Sequence, residues 1–148
     1  MAREITIDSI LYSDDKALLQ FDVIHNYLSK ESYWSKDIPL AIVKESAAGS
    51  VCFGVYDSGK QIAYARVVTD AATFGYLADV FVLESHRGKG ISKHLMKFIM
   101  EHPSLKNLRR FMLATKDAHS LYEKFGFKAL SKPNTIMEIK FFEEYTNR

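Results

Sequence analysis

Between Tyr76 and Phe98 the chain reads YLADVFVLESHRGKGISKHLMKF, and this stretch narrows the possible folds more than any other. Leu77 to Leu83 is a mostly apolar run with aromatic and β-branched residues, as suits a buried strand. Glu84-Ser85-His86 breaks that run, and Arg87-Gly88-Lys89-Gly90 follows. A helical period then begins at once, with Ile91, Leu95, Phe98 and Ile99 on one face and Lys89, Lys93 and Lys97 on another. The first N–H groups of a helix have no intrahelical partner, and the helix dipole adds positive potential there. Glycines let a ligand approach the backbone, and flanking Arg and Lys add charge, so a phosphate is the natural guest. The alternative for the same residues is a tight strand-to-helix turn with no ligand.

Two common phosphate patterns are excluded. A dinucleotide fingerprint needs G-x-G-x-x-G, and Gly88 and Gly90 are followed by Lys93 where the third glycine belongs. The pattern G-x-x-x-x-G-K-[ST] is absent.

The 148 residues predict one domain, 1–148, and 47% hydrophobic content with 13% aromatics is ample for one core. A net charge of +2 implies no bulk polyanion, so no nucleic-acid partner is expected and any basic character is local. No apolar run approaches membrane-spanning length, so no membrane association is expected. The single cysteine, Cys52, reads as a small buried hydrophobe. With no second cysteine and no signal-peptide pattern, the expectation is a reducing cytoplasm. The histidines show no H-x-x-x-H spacing and there is no C-x-x-C, so no metal site is expected.

Taken in order, Ile5 to Tyr12 alternates as a first strand. Ser13 or Asp14 can cap a helix running to about Ser29, Glu31 to Pro39 reads as a loop, and Leu40 to Ser46 as a second helix. Ser50 to Tyr56 and Gln61 to Thr69 are strands joined by the turn Asp57-Ser58-Gly59-Lys60. Asp70 to Thr73 leads into the strand before the glycine turn. His102-Pro103 stops the long helix. Arg110 to Thr115 is a strand, Ala118 to Phe125 a short helix with Gly126 as its C-cap, and Phe127 to Leu130 and Ile136 to Phe141 are closing strands. The tail Glu143 to Arg148 is polar and is expected to fray. The order predicts an α+β sandwich.

The glycine turn resembles the acyl-CoA-binding motif Q/R-x-x-G-x-G/A of the GNAT acetyltransferases, with Arg87, Gly90 and Ser92 at the defined positions. Ser92 departs from the pattern but is still small. Downstream, Tyr122-Glu123-Lys124-Phe125-Gly126-Phe127 is similar to the second GNAT signature, Tyr-x-x-x-Gly-Phe. The family often has Asn where this chain has Asp117 or His119. The resemblance covers nearly the whole chain. It implies a three-layer α/β/α sandwich around a mixed, largely antiparallel sheet, and acetyl-CoA as acetyl-donor cosubstrate. By the same resemblance Arg87, Gly88, Lys89, Gly90, Ile91, Ser92 and Asp117 contact the CoA. Backbone N–H groups of Val80, Phe81 and Val82 are left free by splaying of their strand. They bind the pantetheine arm, and one of them serves the thioester carbonyl as an oxyanion site.

Tyr122 is then the general acid that protonates the departing thiolate, or else a packing residue of a short helix. The acceptor amine attacks directly, with no acyl-enzyme. Asp79 interrupts an apolar strand and is either the general base or the partner of Arg66. Tyr33, Trp34, Arg66 and Asp70 are candidates for the acceptor pocket; the alternative for the two aromatics is capping of the core beneath a loop. His119 either positions Tyr122, contacts substrate or is a surface histidine. The leading expectation is an N-acetyltransferase for a small primary amine, with homodimerisation possible. A non-catalytic acyl-CoA sensor and a protein-lysine acetyltransferase are the alternatives, since fold does not fix function.

Overall fold

The computed structural model describes residues 1–147. A six-stranded sheet runs in the order β1-β2-β3-β4-β5-β6, made of Glu4–Ile7, Ile10–Ser13, Val51–Asp57, Lys60–Thr69, Phe74–Val82 and Arg110–Leu113. The first five strands pair antiparallel, and β6 joins β5 parallel. A parallel neighbour needs a crossover connection, and the helix α3 (Ile91–Met100) provides it. The other helices are α1 (Phe21–Asn26), α2 (Leu40–Ala48) and α4 (His119–Glu123).

Strand alternation divides the core in two. Ala63, Ala65 and Val67 of β4 pack with Leu95, Phe98 and Ile99 of α3. Tyr64 and, on β3, Cys52 turn the other way and pack with Ile24 of α1 and Val43 and Ala47 of α2. Helices therefore cover both faces of the sheet, in the expected three layers.

Several elements differ from the sequence reading. Ile5 to Tyr12 is a hairpin rather than one strand, because Asp8 and Ser9 take φ of 52° and 69° and place Ile7 opposite Ile10. A two-residue turn with both φ values positive matches the twist of the strands it joins. The Ser58-Gly59 turn between β3 and β4 has the same form, as expected. The first helix is regular only to Asn26 and then widens into a π turn over Tyr27–Glu31. There the hydroxyls of Ser29 and Ser32 donate to the carbonyls of His25 and Leu28 at 2.7 and 2.6 Å, local bonds that compete with the helical ladder.

The largest departure is C-terminal. Neither Phe127 to Leu130 nor Ile136 to Phe141 joins a ladder, and a 3-10 turn at Pro133–Thr135 lies between them. Strand propensity expresses fit to a pleated, half-buried surface, and alternation alone supplies no such surface. Beyond them the chain is tied down where fraying was expected: Thr146 donates its hydroxyl to Asp37 at 2.7 Å, and Tyr145 packs against the α1–α2 core. Arg148 lies outside the described residues. Among the described residues no helix is long and apolar enough to cross a membrane.

Candidate active site

The site begins with an irregularity in β5. Tyr64 of β4 faces Phe81 and Arg66 faces Ala78, so Ala65 alone stands opposite Asp79 and Val80. This is a β-bulge, and Asp79 carries its strain at φ 56°. On the other side, pairing with β6 ends at Leu77 and Leu113, so Ala78 to Val82 continue without β6. A cavity of about 580 Å³ opens here. Leu77 to Val80 form one wall, Leu113 to Ala118 the other, and Tyr33, Trp34, Tyr76 and Tyr122 complete it.

β5 runs on into the glycine turn. Gly88 and Gly90 both sit at φ 78°, a conformation that costs a residue with a Cβ about 1–2 kcal/mol. Gly90 is the N-cap of α3 and has no side chain to occupy the helix's first N–H groups. A Cβ on Gly88 would meet nothing within 4 Å, so the surface over the turn is open. Free donors, a helix N-terminus and the exposed Lys89 fit a phosphate group.

The turn is braced from two sides. The His86 imidazole lies 2.8 Å from the Asp57 carboxylate and 2.8 Å from the Ser85 hydroxyl, which fastens the turn to the β3–β4 hairpin. The hydrogen bond with His86 holds the Asp57 carboxyl below the usual carboxylate range. Arg87 donates Nε to the Val82 carbonyl and an Nη to the Tyr27 hydroxyl, both at 3.0 Å. Tyr27 in turn stacks on Phe81, with ring centroids 4.1 Å apart. Arg87 thus locks the end of β5 to the first helical segment through two of its five N–H donors.

Tyr122 is buried in the cavity wall, its ring edge-on to Phe127 at 6.0 Å. Burial, with smaller contributions from Tyr33 and Asp117, pushes its phenol pKa up. Asp79 is buried with both carboxylate oxygens engaged: Arg66 Nε donates to one at 2.6 Å, and Trp34 Nε1 to the other at 3.0 Å. Arg66 also donates to the Ser50 hydroxyl at 3.1 Å. The geometry therefore gives Asp79 the ion-pair role, and it favours that reading over a general base. Tyr33 accepts the Lys116 backbone N–H at 3.2 Å and carries the Lys116 ammonium over its ring at 5.2 Å.

A model of the GNAT acetyltransferase domain matches residues 48–129. The chain belongs to the GNAT acetyltransferase family. A Gibberella zeae protein that carries the provisional name of acetyltransferase is 33% identical over 134 residues, covering 77% of this chain and 76% of the relative. A crystal structure from Xanthomonas campestris pv. campestris, provisionally assigned as a GNAT acetyltransferase, is 49% identical with a TM-score of 0.88; the match covers 90% of this chain and 94% of that one. A Clostridium acetobutylicum structure, a predicted acetyltransferase solved with acetyl-CoA, shares the fold at 17% identity and a TM-score of 0.60, covering 95% of this chain and 96% of that one.

In this GNAT domain Tyr33, Trp34, Arg66, Asp79, Val80, Asp117 and Tyr122 share one cavity. Asp70 does not, and its reading as a pocket residue is corrected. Its carboxylate closes the β4–β5 turn by accepting the N–H groups of Ala72, Thr73 and Phe74 and the Thr73 hydroxyl. Those bonds lower its pKa sharply. Tyr76, Ser35 and Lys116 line the cavity and were missed. Tyr76 could have been found from its place in β5 once the end of β6 was known; the other two have no local signal. His119 stands on the surface of α4 beside a second cavity. Cys52 is buried on the α1–α2 face, its thiol pKa pushed up by burial.

Proposed function

We propose that this GNAT domain moves the acetyl group of acetyl-CoA to a primary amine of a small molecule by direct attack in a ternary complex. The observation that carries the reading is the course of β5: its stretch beyond β6 borders the cavity that Tyr122 lines and then leads, through the 3-10 turn Glu84–His86, into the glycine turn.

The residues fit an acyl-CoA. Gly88, Gly90 and the first N–H groups of α3 at Ile91 and Ser92 would take the pyrophosphate, with Lys89 and Arg87 adding charge. The backbone of Val80, Phe81 and Val82 lies where β5 has left β6 and would receive the pantetheine arm and polarise the thioester carbonyl. Acetyl-CoA supplies the activated acyl group. Tyr122 would donate its phenolic proton to the leaving sulfur, and the proton given up by the attacking amine would restore the phenol directly or through water; burial favours the protonated phenol. Cys52 is outside the chemistry, because a buried thiol with a raised pKa is a poor nucleophile. The acetyl-CoA in the Clostridium structure supports the donor at the level of fold.

The small-molecule acceptor is favoured by the aromatic character of the cavity. Tyr33, Trp34 and Tyr76 surround a compact space with the Asp117 carboxylate in its wall. Trp34, Tyr76 and the Asp117 carboxylate would attract a compact ammonium group, the Tyr33 face being taken by Lys116 and Asp79 by Arg66. Titration calorimetry with acetyl-CoA, using Arg87→Glu as control, tests the donor site. A panel of amines followed by thiol release tests transfer. Binding without release from any amine selects the sensor alternative, and absence of acetyl-CoA binding overturns the proposal.

A further inference from the structure

Four charged residues line the active-site cavity: Arg66, Asp79, Lys116 and Asp117. Arg66 and Asp79 neutralise each other at 2.6 Å, so that pair presents no net charge to a ligand. Lys116 and Asp117 are different. Among the described residues neither forms an ion pair, with the other or with any third group. The cavity therefore offers one cation and one anion, consecutive in the connection between β6 and α4.

Lys116 is held in place from across the cleft. Tyr33 takes its backbone N–H at 3.2 Å, and its ammonium lies 5.2 Å from the centre of the Tyr33 ring. The loop that carries Tyr33 and Trp34 thus reaches the opposite wall and keeps the ammonium at the cavity. A cation over an exposed ring is weakly bound, and a charge-assisted hydrogen bond to a carboxylate is stronger. A ligand carboxylate would draw the ammonium off the ring. Asp117 belongs to the reacting end, because its charge is felt by the Tyr122 phenol. Between these two charges Trp34, Tyr76 and Leu113 supply apolar wall.

We propose that the acceptor is an amino carboxylic acid with an apolar side chain, its amino group facing Asp117 and its carboxylate received by Lys116. The inference rests on the reading of this cavity as the acceptor site. Consecutive residues that line one cavity suit a ligand whose opposite charges are only a few bonds apart. A plain amine would satisfy Asp117 and leave Lys116 without a counterion, so the carboxylate is what Lys116 selects for. In the transfer the amine loses a proton as its bond to the acetyl carbon forms. The C–S bond breaks and the sulfur takes up a proton. The products are an N-acetyl amino acid and the CoA thiol, with the carboxylate unchanged.

Matched pairs that differ only in the carboxylate test it: phenylalanine against phenethylamine, and leucine against 3-methylbutylamine. Trp34 is the chain's one tryptophan and lines the cavity, so its fluorescence reports occupancy without any need for turnover. Lys116 is exposed, so Lys116→Met and Lys116→Glu should fold. The expected result is that the amino acids alter Trp34 emission at lower concentration than their amines, with CoA present, and have the lower KM with acetyl-CoA. Lys116→Met should raise the amino-acid KM about tenfold or more and leave that of the amines within about twofold. Lys116→Glu should reverse the order. Carboxylate-dependent binding with no acetylation upholds the inference and removes the transfer reading. Acetylation of amines and amino acids alike keeps the transfer reading and overturns the inference. A preference that survives Lys116→Met overturns it too, as does no response of Trp34 to either pair or a Lys116→Met variant that loses acetyl-CoA affinity instead.

Discussion

Arg66 Nε and Asp79 Oδ2 lie 2.6 Å apart across the one place where β4 and β5 fall out of register. The two side chains are 18% and 7% exposed, so the pair is largely desolvated, and Trp34 and Ser50 take up further hydrogen-bonding capacity at its two ends. A bulge aims the carboxylate, the ion pair fixes it, and the aromatic wall of the cavity hangs from it through Trp34.

Removing one partner of this pair leaves the other charge buried and uncompensated. Arg66→Met is expected to destabilise the fold by about 3 kcal/mol. The double variant Arg66→Met, Asp79→Leu should recover part of that loss, because no charge is stranded. Urea denaturation of the four members of the cycle measures both effects. If Asp79 anchors the wall, Arg66→Met and Asp79→Asn should impair turnover to a similar extent. A loss confined to Asp79→Asn, with an acid-side limb missing from its pH profile, would restore the base role.

Tyr122→Phe keeps the ring against Phe127 and removes only the phenolic oxygen. Turnover is expected to fall by about 10²–10⁴-fold, the usual range for a lost proton donor. Acetyl-CoA affinity and thermal midpoint should change little. A variant with unchanged turnover would return Tyr122 to a packing role.

The pH dependence carries a definite sign. A general acid works while protonated, and the Tyr122 pKa is raised by burial. Activity governed by this group should therefore hold through the ordinary tyrosine value of about 10 and decline only above it. The same shift favours the folded state below the ordinary value, and that contribution is lost as pH rises through the higher folded one. Rate profiles with an alkali-stable amine, compared with a far-ultraviolet circular dichroism scan over the same range, separate loss of chemistry from loss of fold.

Gly88→Ala isolates backbone conformation, because its Cβ would meet nothing within 4 Å and the only strain is φ 78°. The expected cost is about 1 kcal/mol. Acetyl-CoA affinity should fall as the turn shifts. Gly88→Asn should be milder on stability, since Asn tolerates the left-handed region better. Equal effects of Ala and Asn on stability would mean that φ is not what requires glycine here.

His86→Ala removes the strut between the glycine turn and the β3–β4 hairpin. Its removal should raise the Asp57 pKa toward the ordinary carboxylate value. Since the folded-state pKa of Asp57 is depressed, its contribution to stability is present above the ordinary value and lost as pH falls through the folded one. Acid unfolding of wild type and variant should therefore converge at low pH. NMR titration of the Asp57 carboxyl follows the shift directly.

Local chemistry explains what was readable in advance. The glycine turn, the amphipathic face of α3 and the hairpin at Ser58-Gly59 are each set by neighbours within a few residues, and each stands where the sequence places it. The grouping of Tyr33, Trp34, Arg66 and Tyr122 came from a resemblance, and the fold brings them together around one cavity. The Asp8-Ser9 turn was missed because both residues take positive φ without a glycine to announce it. Asp70 was misplaced because an acidic residue at a strand end has the same sequence context whether it faces a cavity or accepts its own turn's N–H groups.

The sequence by itself determined the turn that fits phosphate and the helix behind it, because these depend on periodicity and local backbone freedom; the helix layer on each face of the sheet was what the family resemblance implied. Only the tertiary structure decided that Asp79 is bound to Arg66 and Trp34, that β6 stops at Leu113 and so opens the cleft, and that Ile136 to Phe141 remains outside the sheet. Each of those depends on which groups from distant parts of the chain meet, and a strand pattern becomes a strand only where the chain carries it to a partner.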